Sequence, residues 1–245
     1  MSSSNEIVAE LYLSFRDRCK EVQSYIQFVS VMTALKYDYL ASLDSVGAVK
    51  LPYYKIDREL EKTLRANGLL LLYNLVEATM ANAVDAIHKA VDDNLLSFDD
   101  LSRQLKNITI SHFKRAVRDS HDSVLDVSEH PIQVAMVSLG YDKEKLFSGN
   151  VDCKEIIKTA QRYGFSSPNP NLKGRGIAQH LRLVKNKRNA LAHGRLSFEQ
   201  CGQETPPDIL PEITHQTIVY LRAVVMSVSN YIRHEHYKYK GEGVA

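Results

Sequence analysis

The amino-acid sequence predicts an all-helical bundle. Four long segments carry apolar residues at spacings of three and four, which is the periodicity of an amphipathic helix. Alternating strand patterns of useful length are absent, and no repeat with a period of about 20–50 residues is visible. An up-and-down bundle around one core is therefore the expected architecture.

The first two helices are predicted from long apolar stripes. The first begins near Ser4, which can cap it, and reaches about Leu40. Its stripe consists of Val8, Leu11, Phe15, Cys19, Val22, Ile26 and Val29. A segment with Gly47 and Pro52 interrupts the pattern, and the second helix follows over residues 56–91. The stripe of that helix consists of Leu69, Leu72, Val76, Met80, Ala83, Ile87 and Val91.

The helical periodicity weakens over about residues 97–165. Short helical patterns alternate there with turn-rich pieces, and they cover residues 98–105, 110–117, 132–139 and 153–163. We interpret this stretch as a helical insertion. Because the whole length suits one core with one sizeable insertion, a single domain over residues 1–245 is expected.

The third long helix is predicted at residues 177–192. It follows a loop rich in serine, proline and asparagine, and Gly194 is placed to end it in a left-handed C-terminal cap. After a proline-containing loop comes the last helix, whose stripe consists of Ile218, Leu221, Val225, Val228 and Ile232.

Composition excludes several classes of protein but names no partner. A net charge of +2 and 44% hydrophobic residues are ordinary for a globular protein. The N-terminus lacks the features of a signal peptide and no window suits a membrane span, so we expect a cytoplasmic protein with no membrane association. Cys19, Cys153 and Cys201 are odd in number and widely spaced, which predicts reduced thiols and no metal site. No cofactor-binding motif is present.

One cation interrupts the apolar stripe of the third long helix. At about 100° per residue, Arg188 falls in the middle of a stripe formed by Ile177, Leu181, Val184 and Leu191. Because a guanidinium is expensive to bury without partners, Arg188 must be paired or must meet an anion at a cavity or interface. His193 stands five residues later, at the helix end, where the helix dipole favours an imidazolium. A paired core arginine and a simple C-terminal histidine are the structural alternatives.

The surroundings of this helix are rich in positive charge. Residues 166–198 contain no Asp or Glu, while their cations are Lys173, Arg175, Arg182, Lys185, Lys187, Arg188 and Arg195. Such a concentration suits a polyanion, above all the phosphates of nucleic acid. The alternative is a solvated face paired with acidic groups from elsewhere in the chain.

The third long helix, the motif helix, carries a sequence that resembles the signature of a known family. Residues 183–194, with the sequence LVKNKRNALAHG, look like the Arg-x4-His signature of HEPN ribonucleases, including the polar residue after the arginine. Similarity extends to Ser197-Phe198-Glu199, to Tyr73-Asn74-Leu75-Val76-Glu77 and to Ser148-Gly149-Asn150-Val151-Asp152. Over roughly residues 60–202, the chain is similar to the large HEPN-like nucleases associated with bacterial restriction and phage-defence loci. The resemblance implies an all-α HEPN-type helical bundle with a helical insertion between the second long helix and the motif helix.

The resemblance also implies a homodimer in which two motif helices meet across a two-fold axis. Five residues on a helix lie about 140° and 7.5 Å apart, so one copy of Arg188 and His193 makes a poor site that a second copy can complete. RNA supplies its own 2′-hydroxyl nucleophile, so His193 can move protons and Arg188 can stabilise the phosphorane without metal or other cofactor.

Other residues receive supporting roles under this interpretation. We predict that Asn189 positions the arginine or the phosphate, and that Asn74 and Glu77 orient Arg188 or His193. An ion pair between two helices is the alternative for Glu77. The predicted RNA contacts are Lys173, Arg175, Lys185, Lys187 and Arg195.

Two other functions fit the same residues. The chain can be a non-catalytic HEPN module that binds RNA, nucleotide or a protein partner in a defence or toxin–antitoxin system. It can also be a toxin silenced by adenylylation of a tyrosine two residues after the motif histidine, but that position here is Arg195. The intact Arg188, Asn189 and His193 favour an endoribonuclease that acts as a toxin or antiviral effector. A restriction, defence or antitoxin protein encoded nearby is the expected partner.

Overall fold

The computed structural model describes residues 3–36, 39–119, 136–137, 141, 143, 146–147, 150–170 and 176–241, with the backbone alone at 51–53, 116–117 and 119. Helices dominate it, which confirms the all-α bundle. They are α1 (Ser3–Leu35), α2 (Arg58–Asp93), α3 (Arg103–Asp119), α4 (Cys153–Tyr163), α5 (Ile177–Ala192), α6 (Phe198–Gln203) and α7 (Ile209–Arg233). Two strands, β1 (Tyr39–Leu43) and β2 (Val49–Lys55), lie between α1 and α2, and a 3-10 helix spans Phe98–Asp100.

Helix α2 lies at the centre of the bundle and packs on α1, α5, α6 and α7. Its predicted stripe is buried, and the close approach of its neighbours is clearest at Gly68. A Cβ atom at Gly68 would lie 2.9 Å from the side chain of Ile26 in α1 and 2.9 Å from that of Leu210 in α7. Helices α1 and α7 therefore meet α2 at one level, and a larger residue at Gly68 would have to displace the ends of the Ile26 and Leu210 side chains.

The first helix differs from its prediction at both ends. Ser4 lies inside α1, while Ser3 Oγ donates a 2.5 Å hydrogen bond to Asp93 at the end of α2. The helix ends at Leu35, before the predicted Leu40, because the chain then forms an antiparallel hairpin.

The hairpin is closed by a turn at Asp44, whose carboxylate accepts hydrogen bonds from the amides of Val46 and Ala48 at 2.9 and 2.8 Å. Gly47 in this turn has a φ of +83°. Every residue of β1 is exposed. Since neither face of β1 is buried, the sequence has no alternation of apolar and polar residues, and this is why strands are not expected there.

The insertion range begins with two elements where one helix was expected. Ser97 and Asp100 form a capping box around the 3-10 helix, and Leu101 is extended, so α3 starts only at Arg103. Helix α3 then continues to Asp119 without the predicted break. Helix α4 matches its predicted bounds. Of the predicted helix 132–139, all but residues 136–137 lie outside the described residues.

A buried cluster of histidines and tyrosines joins α3 and α4 to α2. The Nε2 atom of His88 lies 3.0 Å from the hydroxyl of Tyr163, and its ring stacks on Tyr141 with 3.7 Å between centroids. His112 lies beside it, with 5.9 Å between the two imidazole centroids. Burial lowers the pKa of His88 to about 3, and burial together with nearby arginines lowers the pKa of His112 to about 4. Both rings are therefore neutral at physiological pH.

The last three helices set the position of the motif. Helix α5 has its predicted bounds, and Ile177, Leu181 and Val184 are buried. The short helix α6 then docks on the start of α2. A Cβ atom at Gly202 would lie only 1.8 Å from the Lys62 carbonyl oxygen.

Cys19, Cys153 and Cys201 are free and buried, and burial raises the pKa of each thiol. None of the described helices is long and apolar enough to cross a membrane.

Candidate active site at the end of helix α5

The end of α5 turns sharply at His193. This residue is the C-cap, with φ −96° and ψ 9°, and its amide bonds to the carbonyl of Asn189 at 3.1 Å. Gly194 follows with a φ of +64°, and the amide of Arg195 reaches back to the carbonyl of Ala190 at 2.8 Å. This is the left-handed cap that the sequence predicts, and it leaves His193 exposed.

Arg188 is half-buried and lies against a tyrosine of α2. The central carbon of its guanidinium is 4.9 Å from the ring centroid of Tyr73, which is a cation–π contact. Its Nη1 atom donates a 3.0 Å hydrogen bond to Oδ1 of Asn189. A cation in the apolar stripe of α5 is tolerated because it meets an aromatic face and an amide oxygen at the edge of the core.

Asn189 connects Arg188 to the segment that precedes α4. Its Nδ2 atom donates a 3.0 Å hydrogen bond to Oδ1 of Asn150, while its oxygen accepts from the guanidinium. Asn189 thus contacts Arg188 and links it to a distant part of the chain, while its role in positioning the arginine or the phosphate stays a prediction.

The three residues 150–152 all contact this region. The amide of Val151 donates to the hydroxyl of Tyr73 at 3.2 Å. The carboxylate of Asp152 accepts from Lys185 at 2.5 Å and from the amides of Lys154 and Glu155 in the first turn of α4. Burial raises the pKa of Asp152, but the hydrogen bonds from Lys185 and the backbone outweigh it, so that its pKa is lowered.

The two supporting residues predicted on α2 are placed differently. Asn74 is exposed, whereas Glu77 is half-buried. Burial raises the pKa of Tyr73, the Val151 amide and Arg188 lower it, and Glu77 raises it. Glu77 and Arg188 are therefore both within electrostatic reach of the same buried phenol, whereas Asn74 faces solvent. The role of either residue in orienting Arg188 or His193 stays a prediction.

Two of the predicted RNA contacts are engaged within the chain. Lys185 pairs with Asp152, and Lys187 pairs with Glu204 just after α6. Their side chains as a whole are only 20% and 15% exposed, so most of each side chain is covered. The sequence left two alternatives open for this basic surface. For these two lysines, the alternative observed is pairing with acidic groups from elsewhere in the chain.

The other basic positions differ. Arg195 is exposed beside the motif histidine, and Arg182 is exposed one and a half turns before Arg188. Lys173 and Arg175 lie outside the described residues. The RNA contacts of Lys173, Arg175 and Arg195 stay predictions.

Tyr73 and Asn150 received no role from the sequence, yet both help to hold Arg188. The available signal was their place in two of the three segments of family similarity outside the motif helix. That similarity points to the segments but does not show which side chains contact the arginine, because those contacts join residues far apart in the chain.

The described residues contain no group of three or more His, Cys, Asp or Glu side chains that could hold a metal ion. What this end of α5 offers instead is a held cation and an exposed imidazole five residues apart. A guanidinium can offset the charge of a phosphate, and an imidazole can accept and donate protons near neutral pH.

Comparison with known proteins identifies the family. The HEPN_MAE_28990-like HEPN family matches residues 7–237, a range that begins after the first turn of α1 and extends beyond the end of α7. No curated protein and no solved structure matches the chain. The match covers far more than the motif helix and, with the helical bundle and the Arg188 to His193 spacing, it shows that the chain belongs to the HEPN_MAE_28990-like family of the HEPN superfamily.

Proposed function

We propose that this protein is a metal-independent endoribonuclease that cleaves RNA at a homodimer interface, as a toxin or antiviral defence effector in the cytoplasm. The observation that carries the proposal is the end of α5, where Arg188 is held in place and His193 is exposed five residues later. Membership of the HEPN superfamily supports it, because HEPN domains typically have nuclease or other RNA-related functions.

The chemistry uses groups that the site and the RNA supply. The 2′-hydroxyl attacks the adjacent phosphorus as His193 of one copy accepts its proton. The bond from phosphorus to the 5′-oxygen then breaks, and that oxygen receives a proton from the His193 of the other copy, which starts the reaction as an imidazolium. Arg188 offsets the negative charge that builds on the phosphorane oxygens. The products are a 2′,3′-cyclic phosphate and a 5′-hydroxyl.

A second copy of the chain is part of the proposal. Arg188 and His193 lie about 140° apart around α5, so one phosphate cannot readily meet both in a single copy. A two-fold axis beside α5 brings the Arg188 of one protomer towards the His193 of its partner. Exposed side chains on α5, such as Arg182 and Asn186, leave one side of the helix open for this contact.

A non-catalytic binding module is the second candidate. The observation that favours it is the pairing of Lys185 with Asp152 and of Lys187 with Glu204, which reduces the free positive charge around the motif. A module of this kind would bind RNA, a nucleotide or a protein partner from a defence or toxin–antitoxin system without cleaving it.

The experiment that separates the two candidates is cleavage of RNA in EDTA. The purified protein is expected to cut RNA, to leave 2′,3′-cyclic phosphate and 5′-hydroxyl ends, and to leave DNA of the same sequence intact. A requirement for divalent metal contradicts the mechanism. Absence of cleavage of any RNA, with or without a partner protein, favours the binding module.

The dimer is tested by light scattering. A species of twice the chain mass is expected at micromolar concentration, because the composite site needs two copies. A monomer at micromolar and higher concentrations counts strongly against the proposal.

Lys173→Ala is expected to weaken RNA binding without abolishing cleavage, since a phosphate contact outside the reacting atoms contributes mainly to binding.

A further inference from the structure

We infer that Tyr73 and Asn150 are positioning residues for Arg188, and that the segment formed by residues 150–152 fixes the direction of its guanidinium. The inference rests on the proposed function, since it assigns Arg188 a geometry that the reaction uses. It is carried by contacts that the proposed mechanism does not require.

Tyr73 provides a rigid surface beneath the guanidinium. Its side chain is fully buried, so the surrounding core residues restrict the movement of the ring. The hydroxyl accepts the amide hydrogen of Val151 at 3.2 Å, which fixes the far end of the ring. With the guanidinium carbon of Arg188 4.9 Å from the ring centroid, the aromatic face limits the positions that the cation can take.

Asn150 fixes the direction of the same group through Asn189. The oxygen of Asn189 accepts from Arg188, so the amide nitrogen of Asn189 must face its other partner, the oxygen of Asn150. Each bond measures 3.0 Å. A change at Asn150 is therefore passed to Arg188 by one intervening side chain.

Asp152 holds the segment against α5. Its carboxylate binds Lys185, which stands one turn before Arg188, and at the same time caps α4. Asn150, Val151 and Asp152 thus contact Asn189, Tyr73 and Lys185 in turn. Since the segment is fixed at three successive residues, it cannot shift without moving the support of Arg188.

This support bears on the reaction because electrostatic stabilisation depends on placement. A guanidinium aimed at the phosphorane lowers the barrier, whereas one that must reorganise during the reaction loses much of that effect. Tyr73 and Asn150 act through Arg188, to which they are connected by the cation–π contact and by Asn189.

The first test is a double-mutant cycle on RNA cleavage. Tyr73→Leu and Asn150→Ala are each expected to lower kcat about 10-fold with little change in KM, because the cation is misplaced while RNA still binds. Asn150→Asp keeps the oxygen that accepts from Asn189, so its kcat is expected to stay within about 3-fold of wild type. In an Arg188→Ala background, Tyr73→Leu and Asn150→Ala should have no further effect on the residual rate.

The matched control is Tyr231→Leu. Tyr231 is also a buried tyrosine whose hydroxyl bonds to the backbone, at the carbonyl of Tyr163, 2.8 Å away. Its replacement should leave kcat per folded protein unchanged. If Tyr73→Leu and Asn150→Ala lower the rate by the same factor with and without Arg188, their role is structural and the inference is overturned.

A second readout does not depend on cleavage. Protons of a guanidinium above an aromatic ring resonate upfield, so the side-chain Nε–H signal of Arg188 should be shifted in the NMR spectrum of the wild type. Tyr73→Leu should abolish the shift, Asn150→Ala should reduce it, and Asn150→Asp should retain it. If the wild type does not cleave RNA but the shifts change in this way, the proposed function fails while the positioning role stands. If the signal is the same in wild type and Tyr73→Leu, the positioning role is wrong whatever the cleavage result.

Discussion

The C-terminal ends of α5 and α7 have almost the same backbone geometry. His193 caps α5 with φ −96° and ψ 9°, and His234 caps α7 with φ −92° and ψ 9°. The residue after each histidine is left-handed, Gly194 at +64° and Glu235 at +51°. In each case the cap amide bonds to the carbonyl of an asparagine four residues earlier. Two exposed histidines are thus presented by two equivalent helix ends.

The two ends differ in what stands five residues before the histidine. Before His193 it is Arg188, held by Tyr73 and Asn189. Before His234 it is Ser229, which is buried with its hydroxyl bonded to a carbonyl of its own helix. A histidine at a helix C-cap therefore occurs at both helix ends. The arginine held by Tyr73 and Asn189 is what distinguishes the candidate site.

The largest expected effect separates the two histidines directly. His193→Ala and Arg188→Ala should each lower the rate of RNA cleavage by about 10² or more, because each removes one acid–base or electrostatic contributor. His234→Ala, at the matched helix end, should cleave at the wild-type rate. Initial rates measured with folded dimers decide the comparison. Equal rates for wild type and both site variants would assign the activity to another site or to a contaminant.

A second difference is the way the chain continues after each helix. After α5, Gly202 in α6 packs against the Lys62 carbonyl, where a Cβ atom would lie 1.8 Å from the oxygen. Gly202→Ala must displace backbone, so the free energy of unfolding should fall by about 1–3 kcal/mol. After α7, a Cβ atom at Gly241 would meet nothing within 4 Å, so Gly241→Ala is the control and should change stability little. Urea denaturation monitored by circular dichroism measures both, and equal midpoints would contradict the close packing of α6.

The buried histidines of the cluster contrast with the exposed pair at the helix ends. Their burial should make the free energy of unfolding fall in acid. The pKa values of His88 and His112 are lowered to about 3 and about 4, from an ordinary value near 6.5. Below pH 6.5 the unfolded chain binds protons that the folded chain excludes, so their contribution to stability is present above that pH and is lost as the pH falls towards 4.

The measurement is the free energy of unfolding against pH. Each histidine should contribute a slope of up to about 1.4 kcal/mol per pH unit between pH 6 and pH 4. His112→Phe removes one titrating ring from the cluster. The slope should therefore fall by the contribution of one histidine, up to about 1.4 kcal/mol per pH unit. An unchanged slope would show that His112 is protonated in the folded protein.

The smallest expected effects concern the left-handed residues themselves. Gly194→Ala places a Cβ in open space, so its cost is conformational alone, about 1 kcal/mol. Glu235→Gly makes the reverse change at the other helix end and should stabilise by a similar or smaller amount, since it also removes a half-buried ion pair with Lys238. Thermal melting of the two variants should shift in opposite directions. Shifts of the same sign would contradict the equivalence of the two caps.

Much of the candidate site is encoded locally, and for that reason the sequence predicts it. The bounds of α5, the cap at Gly194 and the spacing of Arg188 and His193 all depend on residues within one or two turns of each other. The hairpin of β1 and β2 is not predictable in the same way. Every residue of β1 is exposed, so that strand has no buried face and imposes no alternating pattern on the sequence.

By itself, the sequence determined the helical class, the boundaries of α4 and α5 and the register that presents Arg188 and His193, since helical periodicity and capping act over about four residues. Only the tertiary structure decided that Tyr73 lies beneath Arg188 and that Asn150 reaches Asn189. It also decided that Lys185 and Lys187 are paired within the chain. Those contacts join α2, the segment before α4 and the residues after α6 to α5. They exist because packing of the bundle core fixes how these elements face one another, and no local pattern specifies that orientation.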